Sequence, residues 1–208
     1  MKLTDKEAQY LIKLARNSIE CHLRGKKISA SGFNSVKNKN FKELCGVFVT
    51  IKSFPSNELR GCIGIPYPEK PLKEAVAEAA ANSATSDPRF PPLTFGELNH
   101  TIIELTILGK PEQIIVGSPT EYLSKIKIGQ HGLIVELLDR KGLLLPQVPV
   151  EYGWDETEFI CNTCMKAGLP MDAWFSPGVK IYKFTGHVFA ELAPNGKVVE
   201  KKLSKSKK

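Results

Sequence analysis

Cys62 sits in the run LRGCIG, residues 59–64, two positions after Arg60 and between Gly61 and Gly64. The thiolate is the nucleophilic form of cysteine, and a neighbouring cation lowers a thiol's pKa. Side chains two apart in an extended strand share a face, so Arg60 and Cys62 are expected side by side, with Gly61 and Gly64 letting a ligand come close. Packing is the competing expectation. Free cysteine is among the most buried residue types, and strand glycines also admit a bulge or a neighbouring element. A cysteine nucleophile further needs a base. Of the four histidines, His131 in GQHGL is the best placed, between glycines at the mouth of an expected strand. Its alternative is a solvated turn histidine.

Other chemistry-bearing residues lie on stiff loops. In DPRFPPL, Asp87 and Arg89 stand on a proline-rich platform that suits either a ligand's carboxylate, phosphate or peptide, or an internal ion pair. Gln147 lies between prolines in LLPQVP, where its amide can face a ligand or satisfy backbone groups. Glu104 is a lone acid in an apolar strand; at an edge it is merely solvated, and buried it needs a partner such as Arg60. Cys161 and Cys164 have redox or zinc spacing, but they fall mid-helix and lack a second ligand pair, so they read as structural and no metal or other cofactor is expected. No Walker loop, GxGxxG, HExxH or serine elbow occurs.

The elements that must hold these residues follow from spacing. Thr4 to Glu7 forms a capping box, followed by Ala8, Leu11, Ile12, Ala15 and Ile19 at helical intervals, so a helix is expected over about 5–23. Residues 25–40 are polar and without period, a long exposed loop. CGVFVTIK and LRGCIGI read as a hairpin, and PLKEAVAEAAANSAT as a helix with one apolar stripe, Leu72, Ala75, Val76, Ala79 and Ala80. HTIIELTIL is a strand, SPTEYLSKI a short helix, and GQHGLIVELLDRKGLLLPQV a hairpin turning at DRKG. Asp155 to Glu158 opens a further helix that stops at Gly168, and KIYKFTGHVFAEL is a long strand. Short connections between mixed elements favour an α+β fold, a mainly antiparallel sheet flanked by helices.

Composition bounds the function. The chain has 208 residues, 42% hydrophobic and 25% charged, with no apolar run long enough for a membrane span and no secretory leader, so a cytoplasmic protein is expected. Five scattered cysteines fit reduced thiols. Of the net charge of +7, five lysines fall in residues 201–208, which leaves the body at +2; that tail is expected to be disordered and nucleic acid is disfavoured as a partner.

In this order, LRGCIG, SDPRFPPL, GQHGLIVE, LLPQVPVEYGW and TCMKAGLP closely resemble the blocks of the AMMECR1 family. The resemblance implies an α+β fold over residues 1–200, with a larger part built from both termini, a smaller lobe and a cleft between them. It also implies association with Memo-like and radical S-adenosylmethionine proteins, and it implies no known reaction. Carried over position by position, it gathers Leu59 to Gly64, Asp87, Arg89, His131 and Gln147 near the cleft. Two functions follow as expectations. One is a cysteine-dependent enzyme with Cys62 as nucleophile, His131 as base and Arg60 as stabilising cation, with Gly61, Gly64, Asp87, Arg89 and Gln147 binding an unidentified small molecule or peptide. The other is a non-catalytic module that recognises a peptide or partner protein in the same cleft.

Overall fold

The computed structural model describes residues 3–26 and 39–201. The chain divides into two compact units, one running to Leu108 and resuming at His187–Lys201, the other Gly109–Gly186.

In the first unit, helix α1 is Asp5–Leu23 and starts on the expected capping box, in which Thr4 accepts from the Glu7 N–H and Glu7 reaches back. Its whole expected stripe is buried. Strands β1 (Gly46–Ser53) and β2 (Leu59–Ile65) form the hairpin, and helix α2 (Leu72–Thr85) follows. After the proline loop, which has no regular structure, a one-turn helix α3 (Phe95–Leu98) leads into β3 (Thr101–Leu108). The α3 turn is capped by Thr94 and Glu97 in the same reciprocal way as α1, a signal too short for periodicity to flag. Strand β1 pairs antiparallel with both β2 and β3. Leu11, Ile12 and Ile19 of α1 and Val76, Ala79 and Ala80 of α2 share one core with Val47, Val49 and Ile51 of β1 and Ile103, Leu105 and Ile107 of β3. Burying side chains of this size stabilises by about 1.5–3 kcal/mol each for the larger ones.

In the second unit, β4 is Glu112–Gln113, α4 is Glu121–Lys125, β5 is His131–Leu137 and β6 is Arg140–Leu144. Helices α5 (Val148–Tyr152) and α6 (Glu156–Lys166) come next. Strand β7, Lys180–Glu191, belongs to the second unit at its start and to the first at its end. It pairs with β5 and β4 along Lys180–Thr185, and with β8 (Val198–Lys201) along Val188–Glu191. All the strand pairings described are antiparallel, as the α+β reading requires.

Two local expectations are corrected. The β5–β6 turn lies at Leu138–Asp139, since Leu137 already faces Arg140, and Leu138 takes a left-handed φ of 56° while 96% exposed. Gly142 is therefore not the turn glycine. A Cβ there would stand 2.4 Å from the Ala167 amide nitrogen, so Gly142 is what lets the end of α6 lie close on β6. The second correction concerns the tail: Lys201 ends β8, and residues 202–208 lie outside the described residues, as do 27–38 of the expected long loop.

One buried ion pair ties the first unit together. Arg16 of α1 grips both carboxylate oxygens of Glu191 on β7 and donates to the Leu98 and Thr101 carbonyls at 2.9 and 2.8 Å. Glu191 also accepts from the Ile103 amide at 2.9 Å. Four elements, α1, α3, β3 and β7, thus meet at one satisfied charge pair.

Candidate functional site

Strand β2 carries Arg60 to Gly64, but not in plain alternation. Lys52 faces Leu59 while Ile51 faces Gly61, so Arg60 has no cross-strand partner and forms a bulge. A bulge breaks the two-residue rule that would set Arg60 beside Cys62. The Arg60 guanidinium instead bonds Glu97 Oε1 at 3.1 Å and the carbonyls of Pro91 and Pro92 at 2.8 and 3.3 Å. It lines a cleft of about 470 Å³ with Ser53, Phe54, Gly96, Glu97 and His100. The groups that move the Cys62 thiol's pKa are Thr50, Arg89, Asp87 and Glu104, with burial the largest cause.

The thiol stands elsewhere. Its Sγ lies 3.2 Å from Thr50 Oγ1, and Thr50 in turn faces Glu104 across the sheet. Burial pushes the Cys62 thiol up; the Thr50 hydrogen bond and the Arg89 charge oppose this, and the charges of Asp87 and Glu104 add to it. Glu104 is buried, as its strand suggests, but its cations are Lys52 at 3.3 Å and Lys201 at 2.6 Å, not Arg60. Lys201 comes from β8, an element that periodicity did not reveal.

Asp87 and Arg89 hold the backbone of Cys62. Asp87 Oδ2 accepts from the Cys62 amide at 2.8 Å, and Arg89 Nη2 donates to the Cys62 carbonyl at 3.3 Å. The two also bond each other through Arg89 Nε at 2.9 Å and Nη2 at 2.7 Å. With the Arg89 guanidinium against it and the Cys62 N–H donating to it, the Asp87 carboxyl is held far below the usual carboxylate range despite its burial.

Both motif glycines meet protein. A Cβ on Gly61 would lie 2.1 Å from the Ser83 carbonyl oxygen of α2, and one on Gly64 would lie 2.3 Å from the Phe48 ring. Ser83 Oγ accepts from the Ile63 amide at 2.9 Å and donates within its cluster of carbonyls, the nearest being Val49 and Ala79 at 2.7 Å. The helix therefore sits directly on the hairpin at Gly61.

His131 and Gln147 belong to the second unit. His131 opens β5, accepts from the Lys127 amide at Nδ1 over 3.1 Å, and lines a small pocket with Lys110, Glu112, Lys183 and Thr185. Burial and the charges of Lys183 and Lys127 push its pKa down. Gln147 precedes α5, and its buried Oε1 has no hydrogen-bond partner among the described residues. Cys161 and Cys164 lie on α6, where burial raises Cys164 to about 11. Among the described residues no group of three or more His, Cys, Asp and Glu could hold a metal, and no helix is long and apolar enough to cross a membrane.

Residues 12–189 match the AMMECR1 family model, which is most of the chain. The chain belongs to the AMMECR1 family. It is 52% identical over 201 residues to Protein MJ0810 of Methanocaldococcus jannaschii, covering 97% of this chain and 98% of that protein. Protein MK0488 of Methanopyrus kandleri is 50% identical over 98% of this chain and 97% of its own. The crystal structure of the uncharacterized protein PH0010 from Pyrococcus horikoshii superposes with a TM-score of 0.88 at 46% identity, covering 98% of this chain and all of that one. The fold of this AMMECR1 protein is thus that of a solved relative. None of these names carries a reaction.

The residues that sequence reasoning missed are Phe54, Glu97 and His100 in the Arg60 cleft and Thr50 beside Cys62. The Thr94–Glu97 capping box could have placed Glu97 at a fixed helix start. Nothing local points to the other three.

Proposed function

We propose that this AMMECR1 protein is a non-catalytic recognition module whose first unit takes an extended segment of a partner polypeptide into the cleft beside Arg60. The observation that carries this reading is the separation of Arg60 from the Cys62 thiol. The cysteine-enzyme reading uses Arg60 as its stabilising cation, and that guanidinium is engaged by Glu97 and two proline carbonyls. The cleft lining is mixed and nearly neutral: Arg60 and Glu97 compensate one another, and Phe54 is 40% exposed. Such a surface suits peptide amides and one apolar side chain better than a polyanion. Cys62, with its raised pKa and its bond to Thr50, serves as a packed thiol of the hairpin.

The family resemblance directs the choice of partner, so the test titrates ¹⁵N-labelled protein with overlapping 15-residue peptides from a Memo-like protein and from a radical S-adenosylmethionine protein. At least one peptide is expected to shift Phe54, Gly96, Glu97 and His100 saturably. Phe54→Ala should weaken it at least tenfold, and Cys62→Ser should leave the affinity within twofold. If no peptide shifts these residues, or if Cys62→Ser abolishes binding, the reading fails.

A further inference from the structure

We propose that the second unit binds a phosphate group in the pocket formed by Lys110, His131, Lys183 and Thr185. Strand register builds this pocket. His131 faces Thr185 across the β5–β7 ladder, and Lys183 faces Leu133 on one side and Glu112 on the other. Residues opposite one another in an antiparallel ladder share a face, so Glu112, Lys183, Thr185 and His131 all stand on one side of the sheet. Farther along, that side carries Ile181, Leu133 and Val135, which belong to the unit's apolar core. The polar pocket thus begins where the core ends.

Its charge and size select the ligand. The cavity is about 60 Å³, a size that suits a small tetrahedral anion. Lys110 and Lys183 line it, and neither makes an ion pair with a described carboxylate, Glu112 included. Lys127 adds a third positive charge near His131. Because His131 Nδ1 accepts from the Lys127 amide, its ring proton resides on Nε2, a neutral donor that the Lys125 carbonyl also engages. Two ammonium groups, an imidazole N–H and the Thr185 hydroxyl are the donor set that a phosphate's oxygens require. Glu112 opposes binding, and two lysines outweigh it.

This inference is independent of the Arg60 cleft. The test uses the full chain and follows the His131 and Lys183 resonances during titration with inorganic phosphate, with adenosine monophosphate, and with acetate as a control. Phosphate should bind saturably and acetate at least tenfold more weakly. Lys183→Ala and Lys110→Ala should each weaken phosphate binding at least tenfold, Lys183→Arg should retain it, and Glu112→Gln should tighten it several-fold. Adenosine monophosphate binding more tightly than inorganic phosphate identifies a phosphate ester as the ligand; the reverse order identifies the free anion. No saturation with either phosphate probe, equal binding of acetate, or an unchanged affinity in both Lys110→Ala and Glu112→Gln would overturn the proposal even if Lys183→Ala failed to fold.

Discussion

Replacing Gly61 with alanine tests whether the cysteine motif is built for packing. The new Cβ would stand 2.1 Å from the Ser83 carbonyl oxygen and 3.2 Å from its carbonyl carbon, both backbone atoms. Ordinary contact begins near 3.4 Å, so about 1.3 Å of separation is missing. No side chain can swing away to provide it. Helix α2 must lift, yet it is anchored there by Ser83 Oγ, which accepts from Ile63 and lies 2.7 Å from the Val49 carbonyl, and by the fully buried Ala79 and Ala80. Overpacking of this kind costs about 1–3 kcal/mol, and each displaced hydrogen bond about 1 kcal/mol more. The expected loss is about 3–5 kcal/mol, or roughly 10 °C in Tm for a chain of this size. Urea unfolding followed by circular dichroism measures it. Gly96→Ala, whose Cβ would meet nothing within 4 Å, is the control and should stay within about 1 kcal/mol of wild type. A Gly61→Ala protein within about 0.5 kcal/mol of wild type would refute the close-packing account of LRGCIG.

Other outcomes follow from the same geometry. Gly64→Ala should cost less than Gly61→Ala, about 1–2 kcal/mol by urea unfolding, because the obstacle is the Phe48 ring, a side chain that can turn. Glu191→Gln should cost about 3–5 kcal/mol in the same assay, since it leaves the Arg16 guanidinium buried without its counter-charge. Alkylation of Cys62 by iodoacetamide, mapped by mass spectrometry against pH, should reach half its maximal rate above pH 9, and Cys164 should react only on unfolding; a Cys62 midpoint below pH 8 would restore the nucleophile reading. Asp87→Asn should lower stability by about 1.5–3 kcal/mol at pH 7. The folded carboxyl's pKa is depressed, so the wild-type advantage is full above the unfolded value of about 4 and shrinks as pH falls below it toward the folded value. A gap between the two proteins that is constant from pH 7 to pH 2.5 would contradict this.

Much of the fold was legible because local signals agreed with tertiary burial. The α1 stripe, the α2 stripe and the Asp155 capping box each recur in the structure at the expected residues. The shorter elements were not legible. Strand β8 has four residues, too few to show a period, although Asn195-Gly196 between it and β7 is a hairpin signal. The β5–β6 turn was misplaced because Gly142 attracts a turn assignment, whereas α6 needs it for close approach and Leu138 accepts the left-handed φ instead. For Glu104 the sequence leaves a solvated edge acid and a buried, paired one both open, and it cannot say that Lys52 and Lys201 reach it instead of Arg60.

The site shows most clearly where residue types stop being informative. An arginine, an aspartate and a second arginine near one cysteine have the composition of a catalytic centre; which atoms they touch decides whether they are one. Strand β2 ends its run of pairings, with β1 on one side only. Its outward N–H and C=O groups would invite another chain to pair. At Cys62 the amide donates to Asp87 and the carbonyl accepts from Arg89, so the charged pair occupies the places a neighbouring strand would take. The DPR loop thus blunts an open sheet edge with side chains. The bulge at Arg60, two residues earlier, breaks the regular ladder and sends that guanidinium to Glu97 and the proline carbonyls. Both charged groups reach past the sulfur, to the backbone on one side and to the Phe54 cleft on the other, which is why the chemistry suggested by LRGCIG is better sought in recognition at that cleft than in the thiol.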